Sequence, residues 1–127
     1  MDLSRLLRQP IIVEHVTQDG APDEMGDPTE VRTYTRFLGW VWQTNASEQT
    51  ANGVVAVESW QLALERSARG QLDTGDRIIP NGTLDEDGQL VPGSGDDPFD
   101  VDGPPWEARN PRTQLIEYVS AQLVRSQ

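Results

Sequence analysis

Cysteine and lysine are both missing from this chain of 127 residues, and histidine occurs once. Without cysteine there is no disulfide and no thiolate–metal staple, so a chain this small must be held by packing, completed where needed by oligomerisation. The absence also fits a reducing compartment. No apolar run approaches the roughly 20 residues that cross a bilayer, and Met1–Pro10 lacks the apolar stretch of a secretory signal. A soluble, intracellular protein with no membrane association is the expectation. All ten basic residues are arginine, a bias into which no function is read.

Catalytic constellations are equally scarce. His15 has no second histidine to share a metal with, and neither a Gly-x-Ser-x-Gly elbow, a P-loop nor a dinucleotide fingerprint occurs. His15 therefore reads as a structural or surface residue, and no catalytic residue, cofactor or metal ligand is assigned. A protein that is not an enzyme is expected.

What the chain does have is acid. Twenty-one acidic residues against ten basic ones leave a net charge of −11. Binding nucleic acid requires clustered cations to neutralise phosphates, so stable binding is disfavoured. The acids gather in two stretches with the punctuation of loops. Asp19, Asp23, Glu24, Asp27 and Glu30 form the first; Asp85, Glu86, Asp87, Asp96, Asp97, Asp100 and Asp102 form the second. Solvated faces are the ordinary reading of such runs. Calcium is the other, but the twelve-position loop with its terminal glutamate is not matched.

The remaining signals are mostly those of short strands between turns. The β-rich run Pro10–Thr17 ends at Gln18-Asp19-Gly20, and Val31–Thr44 is rich in Thr, Tyr, Phe, Val and Trp with room to bend at Gly39. Val54–Ser67 approximates a period of two, with a helix as the competing pattern. Asp76–Ile79 and Asp96–Gly103 suit short strands. Asn81-Gly82 and Asp87-Gly88 are type I′ turn signals that predict an extra hairpin in Pro80–Pro92. Thr113–Arg125 fits a strand face through Leu115, Val119, Ala121 and Leu123, or a helix opened by Asn110 and Pro111. Ser4–Arg8 suits one helical turn.

Between the second and third runs lies the longest stretch of small polar residues: Gln43, Thr44, Asn45, Ala46, Ser47, Glu48, Gln49, Thr50, Ala51, Asn52 and Gly53. It has no apolar periodicity and reads as a mobile loop. Of the four tryptophans, Trp40 and Trp42 share one strand face, and two or three of the four are expected in the core. A mostly β chain forming one small antiparallel β-barrel with long loops is the fold these signals predict.

One set of motifs goes further. Asp73-Thr74-Gly75-Asp76 leads into Arg77-Ile78-Ile79; a Gly-Pro segment ending in tryptophan follows at Gly103–Trp106; and Asn110-Pro111-Arg112-Thr113 introduces the last apolar segment. In this order they resemble the phage head closure proteins, also called head-to-tail stoppers. The resemblance runs from Ile11 to Arg125 and is concentrated in the final third, with Pro80–Asp97 longer than the family's usual connection.

The resemblance implies one domain over residues 1–127, with an N-terminal arm at 1–9, a gating loop at 43–53 and an acidic insert at 80–97. It implies a barrel whose interior takes Gly39-Trp40-Val41 and one of whose ends is closed by Trp106. It favours a strand over a helix for Thr113–Arg125. It further implies a virion neck component, assembled in the host cytoplasm with copies of itself in a ring of six or twelve. Such a ring sits between a portal-side adaptor and a tail terminator or tail tube protein. DNA would pass through its lumen without specific binding, past an acidic wall that repels phosphate. Arg32, Arg36, Arg109 and Arg112 would then be intersubunit partners for acidic loops. A tail terminator or another head–tail joining barrel shares the size and β content. A free-standing acidic β module that binds calcium or a protein ligand is the other alternative.

Overall fold

The structure, a computed structural model, describes residues 7–18, 21–22, 24–27, 29–50 and 53–125, with the side chains of 45–50 and 53–58 outside that description. Six antiparallel strands form a closed barrel: β1 (Gln9–Thr17), β2 (Val31–Thr50), β3 (Gly53–Glu65), β4 (Arg77–Pro80), β5 (Phe99–Arg109) and β6 (Ile116–Arg125). They close in the order β1-β2-β3-β6-β5-β4, so the expected mostly β barrel is borne out. Val54–Ser67 and Thr113–Arg125, each compatible with helix by pattern, lie mainly in β3 and β6. The helical turn expected at Ser4–Arg8 falls largely outside the described residues.

Alternation builds the core. Ile11 and Val13 of β1, Leu62 and Leu64 of β3, and Val119, Ala121 and Leu123 of β6 point inward with Phe37, Ile78, Phe99 and Val101. Each large aliphatic side chain removed from water contributes about 1.5–3 kcal/mol before entropy is counted. Their inward direction means the barrel is filled, not a pore.

The tryptophans depart from expectation. Phe37, Gly39 and Val41 take the inward parity of β2, so Trp40 and Trp42 point outward, their rings 5.1 Å apart. Trp106 is also exposed on β5, and only Trp60 packs against the core. Space decides the parity. A Cβ at Gly39 would collide with the Ala63 carbonyl oxygen and stand 2.8 Å from Leu64 Cδ2. An indole could not follow that backbone inward.

The Gly-Pro segment Gly103–Trp106 lies inside β5. Pro104 and Pro105 have no N–H for the ladder, and the β5–β6 register shifts between Asp102 and Trp106 to pass them, with Gly103 at φ +79°. The Asp73–Asp76 segment that leads into β4 is a turn: Asp76 N–H donates to Asp73 O at 3.1 Å, and Gly75 takes φ +90°. Thr74 Oγ1 donates to Gly103 O at 2.9 Å, so the two motifs touch. Asn110 Oδ1 accepts the Arg112 N–H at 2.8 Å, the side-chain turn that starts the return into β6.

The insert after β4 is compact. Ile12 and Ile79 point out of the barrel yet are buried, because the insert folds over them; a Cβ at Gly82 would stand 2.8 Å from Ile12 Cγ1 and 3.3 Å from Leu90 Cδ1. The extra hairpin predicted here is reduced to one bridge, Leu84 with Leu90. Neither type I′ turn forms. Asn81 has positive φ without Gly82, and Gly88 has it without Asp87.

Candidate functional site

The pairing registers separate two ends of the barrel. β1 leaves β2 at Gln9–Gly39, and β6 leaves β3 at Leu123–Trp60. Beyond those points β2 and β3 continue as partners of each other alone, from Thr44–Ser59 to Thr50–Gly53. Residues 43–53 are therefore mainly strand, not the loop their composition suggests. The small polar arm Asn45–Thr50 pairs with Gly53–Glu58, whose Val54, Val55 and Val57 have high β propensity. At about 3.3 Å per residue, Gln43–Thr50 reaches about 25 Å. Residues 51 and 52 lie outside the described residues.

At the ribbon's base a cleft of about 460 Å³ opens between Val41, Trp60, Pro80 and Phe99, with Asp96 and Asp97 at its rim. Arg125 lies 4.8 Å from the Trp60 ring centre and 4.4 Å from that of Phe99, a cation–π stack. The buried Trp60 indole Nε1 has no hydrogen-bond acceptor among the described residues. The Gln9 Oε1 accepts the Val41 N–H at 3.1 Å, bracing β2 where β1 stops.

The opposite end is sealed. A 3₁₀ turn, Arg66–Ala68, carries Ala68 and then Leu72 into the core. Beside it the β1–β4 ladder, one step past Glu14–Arg77, sets His15 next to Asp76. The His15 Nδ1 is 2.6 Å from Asp76 Oδ1 and 4.0 Å from Asp73 Oδ2. Hydrogen bonding to Asp76, opposed by burial and helped by the charges of Asp76 and Asp73, raises the imidazole above its ordinary pKa of 6.5. Asp76 is buried, and its Oδ2 accepts the Asp73 N–H at 2.9 Å. His15 is partly exposed and held by Asp76, and the Asp pair around it leaves no local trace in the sequence. Only knowledge that β1 pairs with β4 could have found it.

The four arginines divide. Arg32 lies 3.5 Å from both Glu14 and Glu30, and Arg109 reaches Glu107 at 3.3 Å and donates to Gln114 O at 2.9 Å. No side-chain partner of Arg36 or Arg112 is found among the described residues. Glu14 is buried beneath Arg32 and Arg77; burial first, then the Glu14 carboxylate, pushes the Tyr34 phenol up from its ordinary range.

The acids proposed for calcium do not converge among the described residues. Asp85 Oδ1 accepts the N–H groups of Asp87 and Gln89, both at 2.9 Å, and Asp96 Oδ2 accepts from Asn81 Nδ2 at 2.7 Å. No helix among the described residues is long and apolar enough to cross a membrane. No protein-family model matches the chain, and no curated protein matches it.

Proposed function

We propose that this chain is a structural, non-enzymatic subunit of a tailed phage neck. Copies assemble as a ring below the portal-side adaptor, close the DNA channel, and present a docking surface to the tail. The observation that carries the reading is the β2–β3 ribbon extending beyond its neighbours' support. A two-stranded ribbon is marginally stable alone and gains most from partners outside its own barrel. Because the barrel interior is filled by side chains, DNA would run through the centre of the ring, with the ribbons as its gate. The charge of −11 suits a wall past which a duplex slides. Arg36 and Arg112, exposed on the barrel, are the arginines best placed to meet acidic loops of adjoining subunits.

The test removes the ribbon while keeping the barrel. Thr44 and Ser59 are cross-strand partners, so replacing 45–58 by Asn-Gly rejoins them through a two-residue turn. In a tail-less background, particles carrying this variant should package DNA and then lose it, whereas wild-type heads stay full. Equal retention would remove the gate from the ribbon. Knocking out the whole protein separates this reading from a tail terminator: heads that empty support closure, and full heads beside tails of uncontrolled length overturn it.

A further inference from the structure

We propose that His15, Asp73 and Asp76 form a binding site for a transition-series divalent cation, independent of any role in a phage neck. Their ligand atoms, an imidazole nitrogen and two carboxylate oxygens, all lie within 4.8 Å of one another. Ligands held about 2.1 Å from a metal stand about 3.0–3.4 Å apart at octahedral or tetrahedral angles. The 2.6 Å and 4.0 Å separations from His15 Nδ1 bracket that spacing. The cation would enter by displacing the proton shared between His15 and Asp76, parting those two by a few tenths of an ångström while Asp73 swings in.

Three features favour a site over an ordinary surface cluster. The donors sit on rigid supports: His15 on a barrel strand, and Asp76 on a turn tied to β5 by Val101 N–H to Asp76 O at 2.9 Å and Gly75 N–H to Val101 O at 3.3 Å. The Asp76 carboxylate is oriented from behind by the Asp73 N–H, the arrangement by which outer-shell donors fix a metal-bound carboxylate. The side chains of His15 and Asp73 are 41% and 69% exposed, which leaves an entry path and positions for water. Charge also matches: a neutral imidazole and two carboxylates carry −2, which a divalent ion neutralises. The mixed nitrogen and oxygen set suits zinc-like or manganese-like ions over calcium, which takes oxygen alone.

The single histidine makes the test direct, because every imidazole signal belongs to His15. Chelator-treated full-length protein titrated with Zn²⁺ should bind one ion, seen by calorimetry, and shift the His15 Nδ1 resonance. Asp73→Asn should weaken binding about tenfold or more, at least what losing an outer-shell partner costs. His15→Gln should abolish the site, and Asp87→Asn in the insert should leave affinity unchanged. Asp73 is exposed and its side chain packs into no core, so that variant reports even if the histidine variant unfolds. Imidazole signals unmoved at millimolar Zn²⁺, equal affinity in Asp73→Asn, or displacement of Zn²⁺ by equimolar Ca²⁺ would each overturn the assignment.

Discussion

The two ends of this barrel are built on opposite principles. At the sealed end the chain turns inward: Ala68 and Leu72 enter the core, and the Asp73–Asp76 turn is hydrogen-bonded to β5 and to His15. At the ribbon end it runs outward: β2 and β3 leave their neighbours, and a cleft stays open between Trp60, Phe99 and Arg125. Local stability follows buried contacts, so the sealed end should open only with global unfolding while the ribbon opens alone. A protein that must stay folded while rearranging one segment needs this asymmetry. The largest expected effect therefore belongs to the sealed end. Leu72→Ala deletes a buried side chain and should cost about 2–4 kcal/mol in urea denaturation. A loss no greater than that of an exposed leucine would mean this end is not sealed.

Gly39 stands where the two regions meet, opposite Gln9 on one side and Leu64 on the other. Gly39→Ala would press a methyl group into the Ala63 carbonyl, and should cost about 1–3 kcal/mol by overpacking. If thermal unfolding shows no loss, β2 bends there more freely than the closed barrel allows.

These two sites also mark how far the sequence could be read. Strand identities were legible where alternation and turn chemistry agreed, as in Pro10–Thr17, and ambiguous where they did not, as at Asn110–Thr113, whose Asn110 and Pro111 suit a helix start as well. The parity of β2 was not. Leu38, Trp40 and Trp42 are more apolar than Phe37, Gly39 and Val41, yet the smaller set faces in because a six-stranded barrel has no room for two indoles beside Leu64 and Ile11. The ribbon was read as loop because Asn45–Thr50 lacks any apolar pattern of its own; its strand state comes from the partner arm, and propensity within one segment cannot register that. His15 and Asp76 are 61 residues apart in sequence. Nothing local connects them.

Excising the ribbon sharpens the comparison from the other side. With 45–58 replaced by Asn-Gly, the barrel loses pairing that no third strand supports, and shortening a connection changes closure entropy slowly. The expected change is under about 1 kcal/mol, with an unchanged far-ultraviolet β signature. A cost equal to that of Leu72→Ala would mean the ribbon holds the barrel together, and the asymmetry would be lost.

The smallest effect is confined to the sealed end and depends on pH. Asp76, with Asp73 beside it, favours protonated His15, so the folded-state pKa lies above the unfolded 6.5. Below 6.5 the imidazole is charged in both states and the interaction contributes fully. As pH rises through the folded-state value the proton leaves, and that part of the stability goes with it. The side chain is 41% exposed, so solvent screening keeps the contribution modest. The measurement is the stability difference between wild type and His15→Gln, in chelator, at pH 6 and at pH 8.5. It should be larger at pH 6. The ribbon excision should carry no such dependence, since the only histidine lies at the other end. A difference that grows toward pH 8.5 would mean that burial, not Asp76, governs the imidazole, and that the sealed end is held by its apolar plug alone.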